Sequence, residues 1–69
     1  MAVNMQELKR IMDDKKITVE EMAAEMGINK ATAYRKFSSG GGKITVSQAQ
    51  RMARRLDLTG SEAAAIFFS

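Results

Sequence analysis

The sequence of 69 residues contains no cysteine, no histidine and no proline. The absence of cysteine excludes both a disulfide framework and a thiolate metal site. The absence of histidine removes the side chain that most often serves as a general base or as a neutral metal ligand. We therefore expect a protein that is not an enzyme, with no catalytic residue, no bound metal, no cofactor and no small-molecule substrate.

Long apolar runs are also missing from the sequence. No segment approaches the ~20 consecutive apolar residues that a membrane-spanning helix needs, and the first residues lack the apolar region of a secretory signal. These absences predict a cytoplasmic protein without a membrane partner. The length allows one domain at most, which we place over residues 1–69.

Acidic residues are absent from one long part of the chain. The 31 residues between Glu25 and Asp57 include no Asp or Glu but seven Lys and Arg. These basic residues are Lys30, Arg35, Lys36, Lys43, Arg51, Arg54 and Arg55. Such complete segregation of charge favours a polyanionic partner. A solvated basic face is the simpler alternative, which the charge pattern alone leaves open.

The residues that are present carry a repeated signal for the start of a helix. An aliphatic residue precedes Asn or Thr, and Glu or Gln follows three positions later. The Asn or Thr side chain accepts from a free amide of the first turn, and the Glu or Gln side chain accepts from the amide of the cap residue. The four complete signals are Asn4–Glu7, Thr18–Glu21, Thr45–Gln48 and Thr59–Glu62. A fifth start, at Asn29, has Thr32 in the place of the Glu or Gln.

Apolar residues recur at helical spacing after each of these starts, so the sequence predicts an all-α chain. The predicted helices are 5–15, 19–26, 30–38, 46–56 and 60–68. The apolar stripes are interpreted as core. We interpret the six methionines as residues that fill gaps in this core rather than as a site for a soft metal.

Only Gly27, Ile28 and Asn29 separate the second predicted helix from the third. A break this short requires a sharp turn, and Gly27 can supply the positive φ that such a turn needs. Ala23 is small enough to let the two helix backbones approach. The unit is therefore predicted to be a helix-turn-helix, whose second helix can enter the major groove of DNA.

Residues 17–37 resemble the helix-turn-helix of the lambdoid phage repressor and Cro family, also called XRE-type regulators. The segment MAAEMGIN matches the apolar, small and turn positions of the motif. KATAYRKF is similar to the recognition helices of small phage regulators from Gram-positive bacteria, and LDLTGSEAAAIFF resembles their final helix. The resemblance implies a compact five-helix bundle, the lambda-repressor-like DNA-binding domain. It also implies a transcriptional regulator that binds an inverted-repeat operator in double-stranded DNA as a homodimer.

With Ala33 and Phe37 on the core side, the outward face of the third helix carries four candidate DNA contacts. The resemblance assigns base contacts to three of them, and Tyr34 shares their face. The four are Lys30, Ala31, Tyr34 and Arg35. Arg35 is the best candidate for a bidentate contact to guanine. Tyr34 has an alternative interpretation, as a residue at the rim of the core.

Predicted phosphate contacts surround this recognition helix. The amino end of the second helix offers free amides and the positive end of the helix dipole, at Thr18 and Val19. Many members of the family that the chain resembles have a Gln at the position of Val19, and that Gln side chain contacts the DNA backbone. Because Val19 lacks such a side chain, we do not expect that contact here. The remaining candidates are short polar or basic residues at the groove edge or beyond the helix. They are Asn29, Thr32, Lys36, Lys43 and Thr45.

Three arginines of the fourth helix, at positions 51, 54 and 55, belong to the same acid-free segment. The apolar stripe of this helix occupies a different face. We therefore expect these arginines to be solvated or paired with acidic residues of the first helix, such as Asp13 and Asp14, rather than bound to DNA.

The chain ends in an apolar cluster of Ile66, Phe67 and Phe68. Successive residues of a helix lie about 100° apart, so one groove does not hold all three. We name them as candidates for the dimer contact, with the alternative that Phe68 covers the edge of its own core. A rival function is a protein-interaction module, an antirepressor or adaptor that docks through this cluster. The acid-free segment favours DNA binding over that rival.

Overall fold

The computed structural model describes residues 3–40 and 44–68. These residues form five α-helices and no β-strand. The helices are α1 (Met5–Lys15), α2 (Val19–Met26), α3 (Lys30–Ser38), α4 (Val46–Arg55) and α5 (Gly60–Phe67). The predicted all-α class is confirmed, and the predicted ends differ only at α4 and α5, which each stop one residue earlier.

Most of the helix starts form as predicted. At α2, α4 and α5 the threonine hydroxyl and the following Glu or Gln side chain cap the helix reciprocally. At α1, Asn4 accepts from the amide of Glu7, but the Glu7 carboxylate pairs with Arg10 instead. The Asn4 amide donates to the Ile66 carbonyl at 2.7 Å. The predicted reciprocal cap is therefore only half formed, because this amide finds its acceptor at the end of α5.

One type of turn ends α1, α2 and α4. Lys16 and Gly27 directly follow α1 and α2, and Asp57 follows the cap residue of α4. These three residues adopt positive φ, at 57°, 76° and 55°. An aliphatic residue comes next and donates its amide to a carbonyl five residues earlier. These bonds are Ile17 to Met12, Ile28 to Ala23 and Leu58 to Ala53. This hydrogen-bonding pattern is the Schellman motif, and it directs the chain at once into the following cap residue.

The core consists of apolar side chains from all five helices, among them Leu8, Met22, Ala33, Met52 and Phe67, each fully buried. Helix α2 packs against both α3 and α4. Among the described residues no polar or charged side chain is buried. None of the described helices is long and apolar enough to cross a membrane.

Candidate nucleic-acid interface

Helix α3 is set at the surface by the turn that precedes it. Gly27 ends α2 in the left-handed conformation, and the Asn29 Oδ1 accepts from the Thr32 amide at 2.8 Å to begin α3. Apart from Gly27 and its chain neighbours, no heavy atom of the described residues lies within 4 Å of the position that a Cβ on Gly27 would occupy. The glycine is therefore required by its backbone conformation and not by a close packing contact.

The outward face of α3 carries the four side chains that were predicted to meet bases. Ala33 and Phe37 are buried, whereas Lys30, Ala31, Tyr34 and Arg35 are exposed. The guanidinium of Arg35 donates to the Thr32 hydroxyl at 3.3 Å, which holds it along the helix. A guanidinium has five N–H donors, so most of them remain available to a ligand.

Tyr34 makes a contact that links two helices. Its hydroxyl donates to Glu20 Oε1 at 2.8 Å, joining α3 to the first turn of α2. This hydrogen bond to Glu20 raises the pKa of the Tyr34 hydroxyl above its ordinary value. Tyr34 remains 49% exposed. The two residues are 14 positions apart, and no local pattern links them.

The amino end of α2 is partly occupied by a carboxylate. The Thr18 amide donates to Glu21 Oε1 at 3.2 Å, and the Thr18 hydroxyl accepts from the Glu21 amide at 3.2 Å. Among the described residues the structure records no acceptor for the amides of Val19 and Glu20. The anion site predicted at Thr18 and Val19 is thus reduced to two amides beside a negative side chain.

The other phosphate candidates are two helix caps, two residues of a groove on α3, and Lys43. Asn29 and Thr45 are exposed, and their side-chain oxygens cap α3 and α4. Thr32 and Lys36 are half-buried and line a shallow groove on α3, together with Arg35 and Ser39. Lys43 lies outside the described residues.

The predicted partners of the α4 arginines were wrong for Arg55. Its Nη2 lies 2.9 Å from Glu21 Oε2 on α2, not against an acid of α1. The reason is that α4 packs on α2, whereas Asp14 of α1 is placed 3.7 Å from Arg10 of the same helix. Within the described segments the structure records no ion pair for the exposed Arg51 and Arg54.

The three apolar dimer candidates differ in how far they are buried. Ile66 and Phe67 belong to the core, whereas Phe68 is 48% exposed and meets the Phe67 ring edge-on at a centroid distance of 6.5 Å. Phe68 borders a surface groove between α4 and α5 whose lining includes Ala53 and Ala63. Of the three dimer candidates, only Phe68 is therefore exposed to solvent.

This architecture defines a class of protein: an all-α domain whose helix-turn-helix exposes a basic second helix is a DNA-binding domain. The sequence profile of the Cro/C1-type HTH DNA-binding domain matches residues 7–62. Because the match spans most of the chain, including α2, the turn and α3, the chain belongs to that family. The family confirms the XRE-type resemblance and supports a role as a DNA-binding regulator. No curated protein and no solved structure matches the chain significantly.

Proposed function

We propose that this chain is a sequence-specific transcriptional regulator of the phage repressor or Cro type, which inserts α3 into the major groove of double-stranded DNA. The observation that carries the proposal is the outward face of α3, where Lys30 and Arg35 are exposed on a helix fixed by the Gly27 turn. The major groove is about 12 Å wide and admits one helix.

Arg35 is the residue to which we assign the main base contact. It is exposed, and its contact with the Thr32 hydroxyl fixes the direction of the side chain. The planar guanidinium matches the O6 and N7 acceptors of guanine, the commonest specific contact in the major groove. Lys30 reads a second guanine or holds a phosphate, and the Ala31 methyl meets a thymine methyl.

Phosphate contacts flank the base-reading face of α3. On one side the amides of Val19 and Glu20 point out from the amino end of α2, where the helix dipole favours an anion. Further along the chain we place Lys36 of α3 and Thr45 at the start of α4. Asn29 and Thr32 lie at the amino end of α3 itself.

Selection from a random pool of duplexes, followed by binding measurements at two salt concentrations, tests this function. A regulator yields one preferred sequence, and the logarithm of its affinity falls linearly with the logarithm of salt concentration as counterions are released. A chain that binds no duplex even at low salt is an interaction module. A chain that binds all duplexes alike is a non-specific DNA-binding protein. Either result contradicts the proposal.

The regulator binds its operator as a pair of chains, and we place the contact at Phe68. The exposed ring and the adjoining groove between α4 and α5 supply an apolar patch. One module contacts few base pairs, so pairing extends the site to an inverted repeat with recognition helices about 34 Å apart.

Substitution of Phe68 tests the pairing. Phe68→Asp places a charge in the contact and is expected to abolish cooperative binding to an inverted repeat, while the fold measured by circular dichroism is retained. Phe68→Leu keeps an apolar side chain and is the matched control, with cooperativity preserved. One wild-type chain per duplex in analytical ultracentrifugation contradicts the dimer.

A further inference from the structure

Glu20 is an acidic residue held against the recognition helix. Its Oε1 accepts from the Tyr34 hydroxyl at 2.8 Å, and both side chains are exposed. Three other carboxylates of the described chain pair with arginine: Glu7 and Asp14 with Arg10, and Glu21 with Arg55. For Glu20 the structure records no such cation within residues 3–40 and 44–68.

The hydrogen bond determines what this pair offers to a ligand. A tyrosine hydroxyl has one hydrogen and two lone pairs, and a carboxylate has lone pairs only. Once the hydroxyl hydrogen is donated to Glu20, both residues present acceptors alone to their surroundings. A phosphate also presents acceptors alone, so neither side chain of the intact pair can bind the DNA backbone. A hydrogen bond from the Tyr34 hydroxyl to a phosphate would require the pair to break.

Major-groove edges include groups that fit an acceptor. The exocyclic amino groups at cytosine N4 and adenine N6 are donors, whereas the guanine O6 and N7 and the thymine O4 are acceptors. An acidic side chain that accepts from cytosine N4 is an established form of readout. The pair thus has the opposite preference to Lys30 and Arg35, which are donors only.

We propose that Tyr34 and Glu20 form a single specificity element that accepts a hydrogen bond from the exocyclic amino group of a cytosine or an adenine. This inference rests on the proposed insertion of α3 into the major groove. The target base lies beside the one read by Arg35, because the two residues are neighbours on the same exposed face of α3. Glu20 fixes the hydroxyl hydrogen, so that the Tyr34 oxygen faces the groove as an acceptor.

Selection from a random duplex pool is carried out with the wild-type chain, Tyr34→Phe and Glu20→Gln. We expect the wild type to require an amino-bearing base at one position, with a preference of about 5- to 10-fold, near the lower end for one base contact. Tyr34→Phe keeps the ring and removes the acceptor, so this preference is lost. Glu20→Gln adds an amide donor, so the preference is lost or turns towards a base with an acceptor.

Glu25→Gln is the control for charge. It removes the same charge from the same helix, and we expect the selected sequence to be unchanged. A chemical control removes only the amino group: the selected adenine is replaced by purine, or the selected cytosine by 2-pyrimidinone. This replacement weakens wild-type binding about 5- to 10-fold and leaves the binding of Tyr34→Phe unchanged.

Two outcomes overturn the inference while leaving the regulator proposal intact. The first is tighter binding of Glu20→Gln to all duplexes alike, which makes Glu20 a general electrostatic barrier to DNA. The second is an unchanged selected sequence in both pair variants, which makes the hydrogen bond structural only. Failure of the wild-type chain to select any sequence is a different result, since it removes the proposed function itself.

Discussion

Helices α3 and α4 carry the same number of basic side chains but hold them in different surroundings. Those of α3 are Lys30, Arg35 and Lys36, and those of α4 are Arg51, Arg54 and Arg55. Helix α3 follows the sharp turn at Gly27 and presents its outward face to solvent. At the carboxyl end of α4, Arg55 pairs with Glu21, and the Lys15 ammonium donates to the Leu56 carbonyl.

The comparison shows that positive charge by itself does not identify a DNA-reading surface. Both helices belong to the acid-free segment, so composition assigns them the same role. The two helices differ in the connection that precedes each of them and in the partners that their basic side chains have in the folded chain. We infer that α3 contacts DNA, and that α4 serves chiefly to complete the core around α2.

The largest difference between the two helices is expected in DNA binding. Arg35→Ala should weaken binding to the selected sequence by about 1–3 kcal/mol and relax the preference at one base pair, because a bidentate contact to guanine is lost. Arg54→Ala removes the same charge from an exposed position on α4 and is the matched control. Equilibrium titrations against the selected duplex and single-base variants measure both effects.

Two results would contradict this assignment of roles. One is an Arg35→Ala chain that selects the wild-type sequence. The other is an Arg54→Ala chain that shows the larger loss and alters the selected base, which would move the reading surface to α4.

A smaller effect is expected on stability when the turn before α3 is compared with the turn after α4. Gly27→Val should destabilise the fold by about 2 kcal/mol, because side chains disfavour positive φ by about 1–2 kcal/mol and a β-branched one more strongly. Asp57→Gly changes the corresponding turn in the opposite sense and should stabilise the fold by about 0.5 kcal/mol. Circular dichroism melts of both variants measure this. A Gly27→Val chain that melts like the wild type would contradict the importance of that turn.

The smallest expected effect is the loss of stability in acid, because the glutamates involved are exposed. Hydrogen bonds from the Thr18 and Thr59 amides lower the pKa values of Glu21 and Glu62 below the ordinary 4.5. Their contribution to stability is complete above that value and is lost as the pH falls through the lowered pKa values. The caps of α3 and α4 use Asn29 and Gln48, which do not titrate.

Thermal melts at decreasing pH should therefore show a loss of stability that depends on Glu21 and Glu62. Glu21→Gln keeps a side chain able to cap α2 and should lose less stability than the wild type as the pH falls below 4.5. An identical pH dependence in the variant would show that the α2 cap plays no part in the acid response.

Much of the fold was predictable because its signals are local. A cap residue and the Glu or Gln after it lie within one turn, so the starts of α2, α4 and α5 follow from short segments. The exposed side of α3 was predictable for a related reason, since Ala33 and Phe37 fix which face is buried.

The contacts that the sequence did not reveal join distant parts of the chain. The Tyr34–Glu20 bond spans 14 positions and the Arg55–Glu21 pair spans 34. Each depends on how α2 packs against another helix, which no periodicity encodes. The Asn4 amide likewise donates to the Ile66 carbonyl at 2.7 Å instead of to the predicted Glu7 side chain. Local patterns predicted the candidate site, but tertiary packing determined the hydrogen-bonding character of its surface.

We propose that α3 and the amino ends of α2 and α4 form the DNA surface, and that the arginines of α4 do not belong to it. The most direct test is a titration of the isotope-labelled chain with its selected duplex, followed by amide chemical shifts. We expect the largest changes at Val19, Glu20 and residues 30–36, with small changes at Arg51 and Arg54. Changes centred on α4, with the amides of α3 unmoved, would contradict it.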